Sequence, residues 1–303
     1  MILLEQLRHN ELGTSYFSLI SKPDHKVYLA YQSHTNKAFY YTLNDLVELE
    51  SSKLLRIGTG NETHSAISFW FLALESYLNC LIKIVCLKKT VEFKVFKNQD
   101  LGKRLGSLVD LLELDKKAFN ETGIIAKLNE FCFFRNELFH DRHFAEEVEF
   151  KKTKFSSIPI LSNQVDTFQA LLIYIEITSL LRYSISVIDS MPDTVIKNDS
   201  YALWEKLDIC YEGILKPSLL AGLRKHNIAT DLPVDLPKVT NFKSTVFKKG
   251  EIQSFITAEQ EQGYFIQTND LVTHHVQETY QNFVNKYNLK PNTFRVAKTM
   301  VSD

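Results

Sequence analysis

The chain has 303 residues, 45% of them hydrophobic, with only 10 glycines and 7 prolines, a composition that implies a substantial buried core in one large or two ordinary domains. A formal net charge of −1 excludes a global attraction for nucleic acid, so any such binding must come from a local patch. The cysteines, Cys80, Cys86, Cys132 and Cys210, form no Cys-x-x-Cys pair and read as buried thiols of a reducing compartment, and the first residues lack a basic segment followed by a long apolar run. Both features lead us to expect a cytoplasmic protein.

In chain order, residues 26–31 and 38–43 are rich in aromatics and flank a polar turn, which predicts a β-hairpin. Asn44 suits the N-cap of a short helix reaching residue 54, and the Gly-Thr-Gly at 58–60 reads as a loop, too short for a dinucleotide-binding turn. Two stretches, 66–87 and 168–188, are apolar enough to raise a membrane alternative. Glu75, Asn79 and Lys83 interrupt the first, and Glu176 and Arg182 the second; each central charge would cost roughly 2.5–3.5 kcal/mol in a bilayer. Helices in the centre of a bundle, over 65–87 and 164–188, are therefore expected, with no membrane contact. Between them, Lys83, Lys88, Lys89, Lys94, Lys97, Lys103 and Arg104 are offset only by Glu92 and Asp100, a basic stretch that is either a solvated connector or a phosphate track. An amphipathic segment at 101–114 follows.

Beyond the second long helix, residues 201–226 read as one more amphipathic helix. The two prolines in 231–238 force extended backbone, and the periodicity then becomes strand-like at 244–248, 252–257 and 264–268 before a helix from Asp270 onward. The expected organisation is a mixed region at 1–60 with the hairpin, a helical bundle at 61–230 and a small α+β module at 231–303. His274, His275 and Glu278 offer two conceivable metal ligands but lack a third, so neither a metal nor a cofactor is expected.

The segment Phe131-Cys132-Phe133-Phe134-Arg135-Asn136-Glu137-Leu138-Phe139-His140 places an arginine, an amide and an imidazole inside an apolar helical run. On a helical wheel Leu128, Phe131, Cys132, Arg135, Leu138 and Phe139 share one face, Phe133, Asn136, His140 and Phe144 its neighbour, and Glu130, Glu137 and Asp141 the side read as solvent. Arg135 then points toward the core, where Glu75 or Glu176 is a candidate partner. Phe133 and Phe144, flanking Asn136 and His140, mark a candidate subunit contact.

Arg135-Asn136-x-x-x-His140 resembles the signature of the HEPN superfamily, helical-bundle ribonucleases and related binding modules that carry Arg-(polar)-x-x-x-His on a late helix. The resemblance covers roughly residues 60 to 190, in which the order of the long helix, the amphipathic segment, the motif helix and the second long helix follows that of such bundles. It implies a mainly α, HEPN-like fold, a homodimer whose paired motifs form a composite groove, and metal-independent endoribonuclease activity, with a role in toxin–antitoxin or phage defence and an antitoxin or regulatory protein as a further partner. Chemically, RNA carries its own nucleophile. Histidine, with an ordinary pKa of about 6.5, can take the 2′-OH proton, and an arginine can hold charge building on the phosphoryl oxygens. His140 and Arg135 are thus the candidate catalytic residues, Asn136 assists, Glu75 is a candidate orienter of Arg135, and Lys88, Lys89, Lys103, Arg104 and His143 are candidate RNA contacts. Residues five apart on a helix differ by about 140° and about 7.5 Å, so Arg135 and His140 of one chain do not project together. The alternative reading is a catalytically silent module of the same fold that holds a partner protein, a nucleotide or a second copy.

Overall fold

The computed structural model describes residues 4–7, 16–19, 27–28, 30–51, 61–140, 146–184, 215–227, 243–247 and 265–266, and these are mainly α. The helices are α1 (Ala30–Ser51), α2 (Asn61–Lys89), α3 (Lys94–Lys97), α4 (Leu101–Leu111), α5 (Lys116–Glu121), α6 (Ile124–His140), α7 (Gln164–Ser184) and α8 (Lys216–Lys225). Strands β1 (Leu4–Leu7) and β2 (Tyr16–Leu19) pair antiparallel, while β3 (Val27–Tyr28) pairs parallel with β4 (Phe265–Ile266).

Helix α1 replaces the hairpin expected at 26–31 and 38–43, and Asn44 lies inside it instead of capping a second helix. Its buried positions explain why. Thr35, Ala38, Phe39, Thr42, Leu46 and Leu49 recur at spacings of three and four, the period of a helical stripe, and burial of that stripe outweighs the strand preference of the tyrosines beside it.

The centre of the bundle is α2, whose Ile67, Trp70, Leu74, Tyr77, Leu78 and Leu81 are buried. Trp70 Nε1 donates to Thr42 Oγ1 at 2.9 Å and Thr63 Oγ1 to Asp45 Oδ1 at 3.0 Å, so α1 runs antiparallel to α2. Thr167 Oγ1 donates to the other Asp45 oxygen at 2.6 Å, and Tyr174 packs 5.1 Å from Trp70, which sets α7 parallel to α2. The fully buried Asp45 carboxylate therefore ties three helices together. By length and composition α2 could cross a membrane, but 67% of its apolar window is buried in the bundle.

Between α6 and α7 the chain folds back over α6. Glu130 accepts from the backbone N–H groups of Lys152 and Thr153, at 2.9 and 2.7 Å, and from the Thr153 hydroxyl at 2.8 Å. Phe155 stacks on Phe134 with centroids 4.1 Å apart, and Phe150 meets Phe134 edge-on at 5.4 Å. A reciprocal cap then starts α7: Asn163 Oδ1 takes the Val165 N–H at 2.8 Å, and Asp166 takes the Asn163 N–H at 2.8 Å as well as the Ser156 N–H and hydroxyl at 2.7 Å each. Burial pushes the Asp166 carboxyl up to about 6, against the opposing pull of these three hydrogen bonds.

At the far ends, α8 packs on the last turn of α1, where a methyl on Gly222 would collide with Leu49, and His226 Nε2 lies 2.9 Å from the Leu49 carbonyl. Ser244 donates its N–H to the Ser184 carbonyl at 2.6 Å and its hydroxyl to the Leu112 carbonyl. Phe247 is buried beneath the Lys88 ammonium, 5.8 Å from its ring. Residues 243–247 are bends and irregular backbone instead of the strand expected at 244–248. The segments 231–238 and 252–257, the first part of the helix expected at 201–226 and the helix expected from Asp270, with His274, His275 and Glu278, lie outside the described residues.

Candidate functional site

Helix α6 begins behind Gly123, whose φ of +73° is the left-handed turn that closes α5. Gly102 of α4 lets that helix approach α6 closely, since a methyl there would strike the Asn129 amide. Phe131 meets Phe71 of α2 edge-on at 5.4 Å, and one turn further along α6 the Arg135 guanidinium lies over the same Phe71 ring at 5.3 Å. The Cys132 thiol, one turn before Arg135, is pushed up to about 12, first by burial and then by Glu75 and Asp100, with Arg135 pulling it down. Asn129 meets Gly102 close to Arg104, which reaches Glu75 and Asn79, whereas Arg135 lies on Phe71, so α6 runs antiparallel to α2 and carries its C-terminal end toward the start of α2.

The motif residues lie at that end. Arg135 is half-buried, clamped between the rings of Phe71 at 5.3 Å and Phe139 at 5.0 Å, and donates from Nη1 to Asn136 Oδ1 at 3.1 Å. Both carboxylates expected to neutralise it are engaged elsewhere: Glu75 with Arg104 at 3.1 Å and Glu176 with Lys127 at 2.8 Å. Among the described residues no carboxylate pairs with Arg135. His140 is the last residue of α6 and is exposed, while Asn136 is half-buried. Since α6 is regular through this segment, Arg135 and His140 diverge as an ideal helix requires.

Two wheel assignments change. Phe139 is 53% exposed instead of buried, and Glu137 is 4% exposed instead of facing solvent. The segment at 150–155 covers the Glu130 side of α6, and the buried stripe runs through Ile124, Leu128, Phe131, Phe134 and Leu138. Phe133, proposed at a subunit contact, packs 6.1 Å from Phe150 of the same chain. Phe144 and His143 lie outside the described residues.

Glu75, expected beside Arg135, pairs with Arg104. Arg104 donates from Nη1 to Glu75 at 3.1 Å and to Asn79 at 2.9 Å, from Nε to the Gln99 carbonyl at 2.9 Å and from Nη2 to the Lys97 carbonyl at 3.4 Å, so all three guanidinium nitrogens are used. The remaining candidate RNA contacts separate. Lys103 is exposed beside the α4 N-cap, paired with Asp100 at 3.0 Å. Lys88 and Lys89 sit in the last turn of α2, Lys89 paired with Glu113 at 2.7 Å. That turn is about 21 Å along α2 from Glu75 and lies away from the motif.

The wheel omitted the ring clamp, which needs the pairing of α2 with α6, and it also omitted His64. His64 falls within about 20° of Phe71 and Glu75 around α2, so the seven-residue spacing could have placed it on the same stripe. Burial holds the His64 pKa below the ordinary value, against an opposing pull from the Ile160 backbone. Among the described residues no group of three or more His, Cys, Asp or Glu side chains is placed to hold a metal. No protein-family model, curated protein or solved structure matches this chain.

Proposed function

We propose that the chain is a cytoplasmic, HEPN-type endoribonuclease that cleaves RNA without a metal, acting as a homodimer. The observation that carries this reading is the state of Arg135. A half-buried guanidinium held between two aromatic rings, with an amide beside it and no carboxylate partner among the described residues, is a preorganised anion site. A planar fork matches two oxygens of a phosphodiester. His140, exposed at the end of the same helix, is accessible to the ribose as the base that takes the 2′-OH proton. The 2′-oxygen then attacks phosphorus, the P–O5′ bond breaks, and the leaving 5′-oxygen takes a proton from water, so the products end in a 2′,3′-cyclic phosphate and a 5′-hydroxyl. The divergence of Arg135 and His140 around α6 is the reason for a second copy, whose motif would complete the groove. Incubating the protein with mixed-sequence single-stranded RNA in the presence of EDTA tests the reading: cleavage to cyclic-phosphate ends supports it, and intact RNA refutes it.

A further inference from the structure

Glu75 stands one turn along α2 from Phe71, the ring on which the Arg135 guanidinium rests 5.3 Å away. Such a carboxylate is the natural partner for a half-buried arginine, and pairing would remove Arg135 from any external anion. In the structure that carboxylate is held by Arg104. Its side chain is 15% exposed, reaches Glu75 from α4 and is fixed from three further directions by Asn79, Gln99 and Lys97. We infer that Arg104 is a positioning residue that holds Glu75 through a charged hydrogen bond to Oε1 and so keeps Arg135 free to take a phosphodiester. The inference rests on the proposed function and reassigns Arg104 from direct RNA contact to control of the site. The same stripe of α2 thus presents an aromatic platform to one arginine and a carboxylate to the other, two helices apart in sequence.

The test measures binding of a short fluorescein-labelled single-stranded RNA of mixed sequence to full-length protein carrying His140→Ala, so that cleavage does not interfere. Adding Arg104→Met releases Glu75 toward Arg135 and should weaken binding by about tenfold or more, the loss of one charge-assisted phosphate contact. Adding Glu75→Gln to that variant removes the competing charge and should restore binding. Melting curves confirm that each variant is folded at the assay temperature. Should Arg104→Met not fold, Asn79→Asp, which overloads Arg104 with a second carboxylate, carries the same expectation of weakened binding. Unchanged affinity in folded Arg104→Met, or a loss that Glu75→Gln does not reverse, overturns the inference while leaving the ribonuclease reading intact. Absence of RNA binding by the parent protein overturns both.

Discussion

At the scale of single residues, Arg135 and His140 differ in what they do for the fold. His140 is exposed at a helix end, so His140→Ala should leave the melting temperature nearly unchanged and, on the proposed mechanism, lower RNA cleavage by about two to four orders of magnitude. Arg135→Ala removes a guanidinium that fills the space between Phe71 and Phe139 and should destabilise modestly, by roughly 1–2 kcal/mol of ring contact and packing, instead of stranding a buried carboxylate. Thermal unfolding of the two variants separates these effects. Asp166 supplies a pH dependence. Its carboxyl sits at about 6 in the fold against an ordinary 3.8, so the folded state holds the proton more tightly than the unfolded chain does. Stability from this group is fully present below its ordinary value and is lost as pH rises through about 6, by an amount of order 3 kcal/mol. The stability of the wild type relative to Asp166→Asn should therefore decline from pH 4 to pH 7; a difference independent of pH would show that Asp166 titrates normally.

At the scale of elements, the aromatic seam between α6 and the segment that covers it determines which faces of the motif helix remain open. Phe155 touches Phe131, Phe134 and Phe150, and Phe155→Ala should cost about 3–5 kcal/mol in denaturant unfolding and expose the Glu130 side of α6. A loss below about 1 kcal/mol would mean that the seam packs loosely. The long helices α2, α6 and α7 were legible in the sequence because each carries an apolar run too long for a strand, with charges spaced to suit a bundle. Helix α1 was not, since its tyrosines and β-branched residues outvote the three-and-four spacing until α2 is there to bury Phe39, Leu43 and Leu46. The motif itself was legible as a pattern, yet its surroundings were not. Glu137 reads as solvent-facing on a wheel of α6 alone, yet it is buried in the folded chain. Likewise, the pairing of Glu75 with Arg104 depends on how α4 docks on α2, which no single-helix pattern contains.

At the scale of the whole molecule, contacts reach across the proline-containing stretch at 231–238, because Ser244 bonds to both Ser184 and Leu112 and Phe247 is buried. Limited proteolysis is expected to cut near residues 232–240, where two prolines favour extended backbone, and the two fragments should then co-elute on a sizing column until denaturant parts them. Free fragments without denaturant would make the C-terminal part an independent module. The dimer belongs to this scale as well, since light scattering at micromolar concentration should give twice the chain mass if two motifs share a groove. Whether Arg135 and His140 act on a phosphodiester is read from the end group left on single-stranded RNA by wild type and by folded His140→Ala in EDTA. The wild type should leave 2′,3′-cyclic phosphate ends and the variant essentially none. Intact RNA with the wild type, or equal cleavage by both, would contradict that action and favour a silent binding module built on the same bundle.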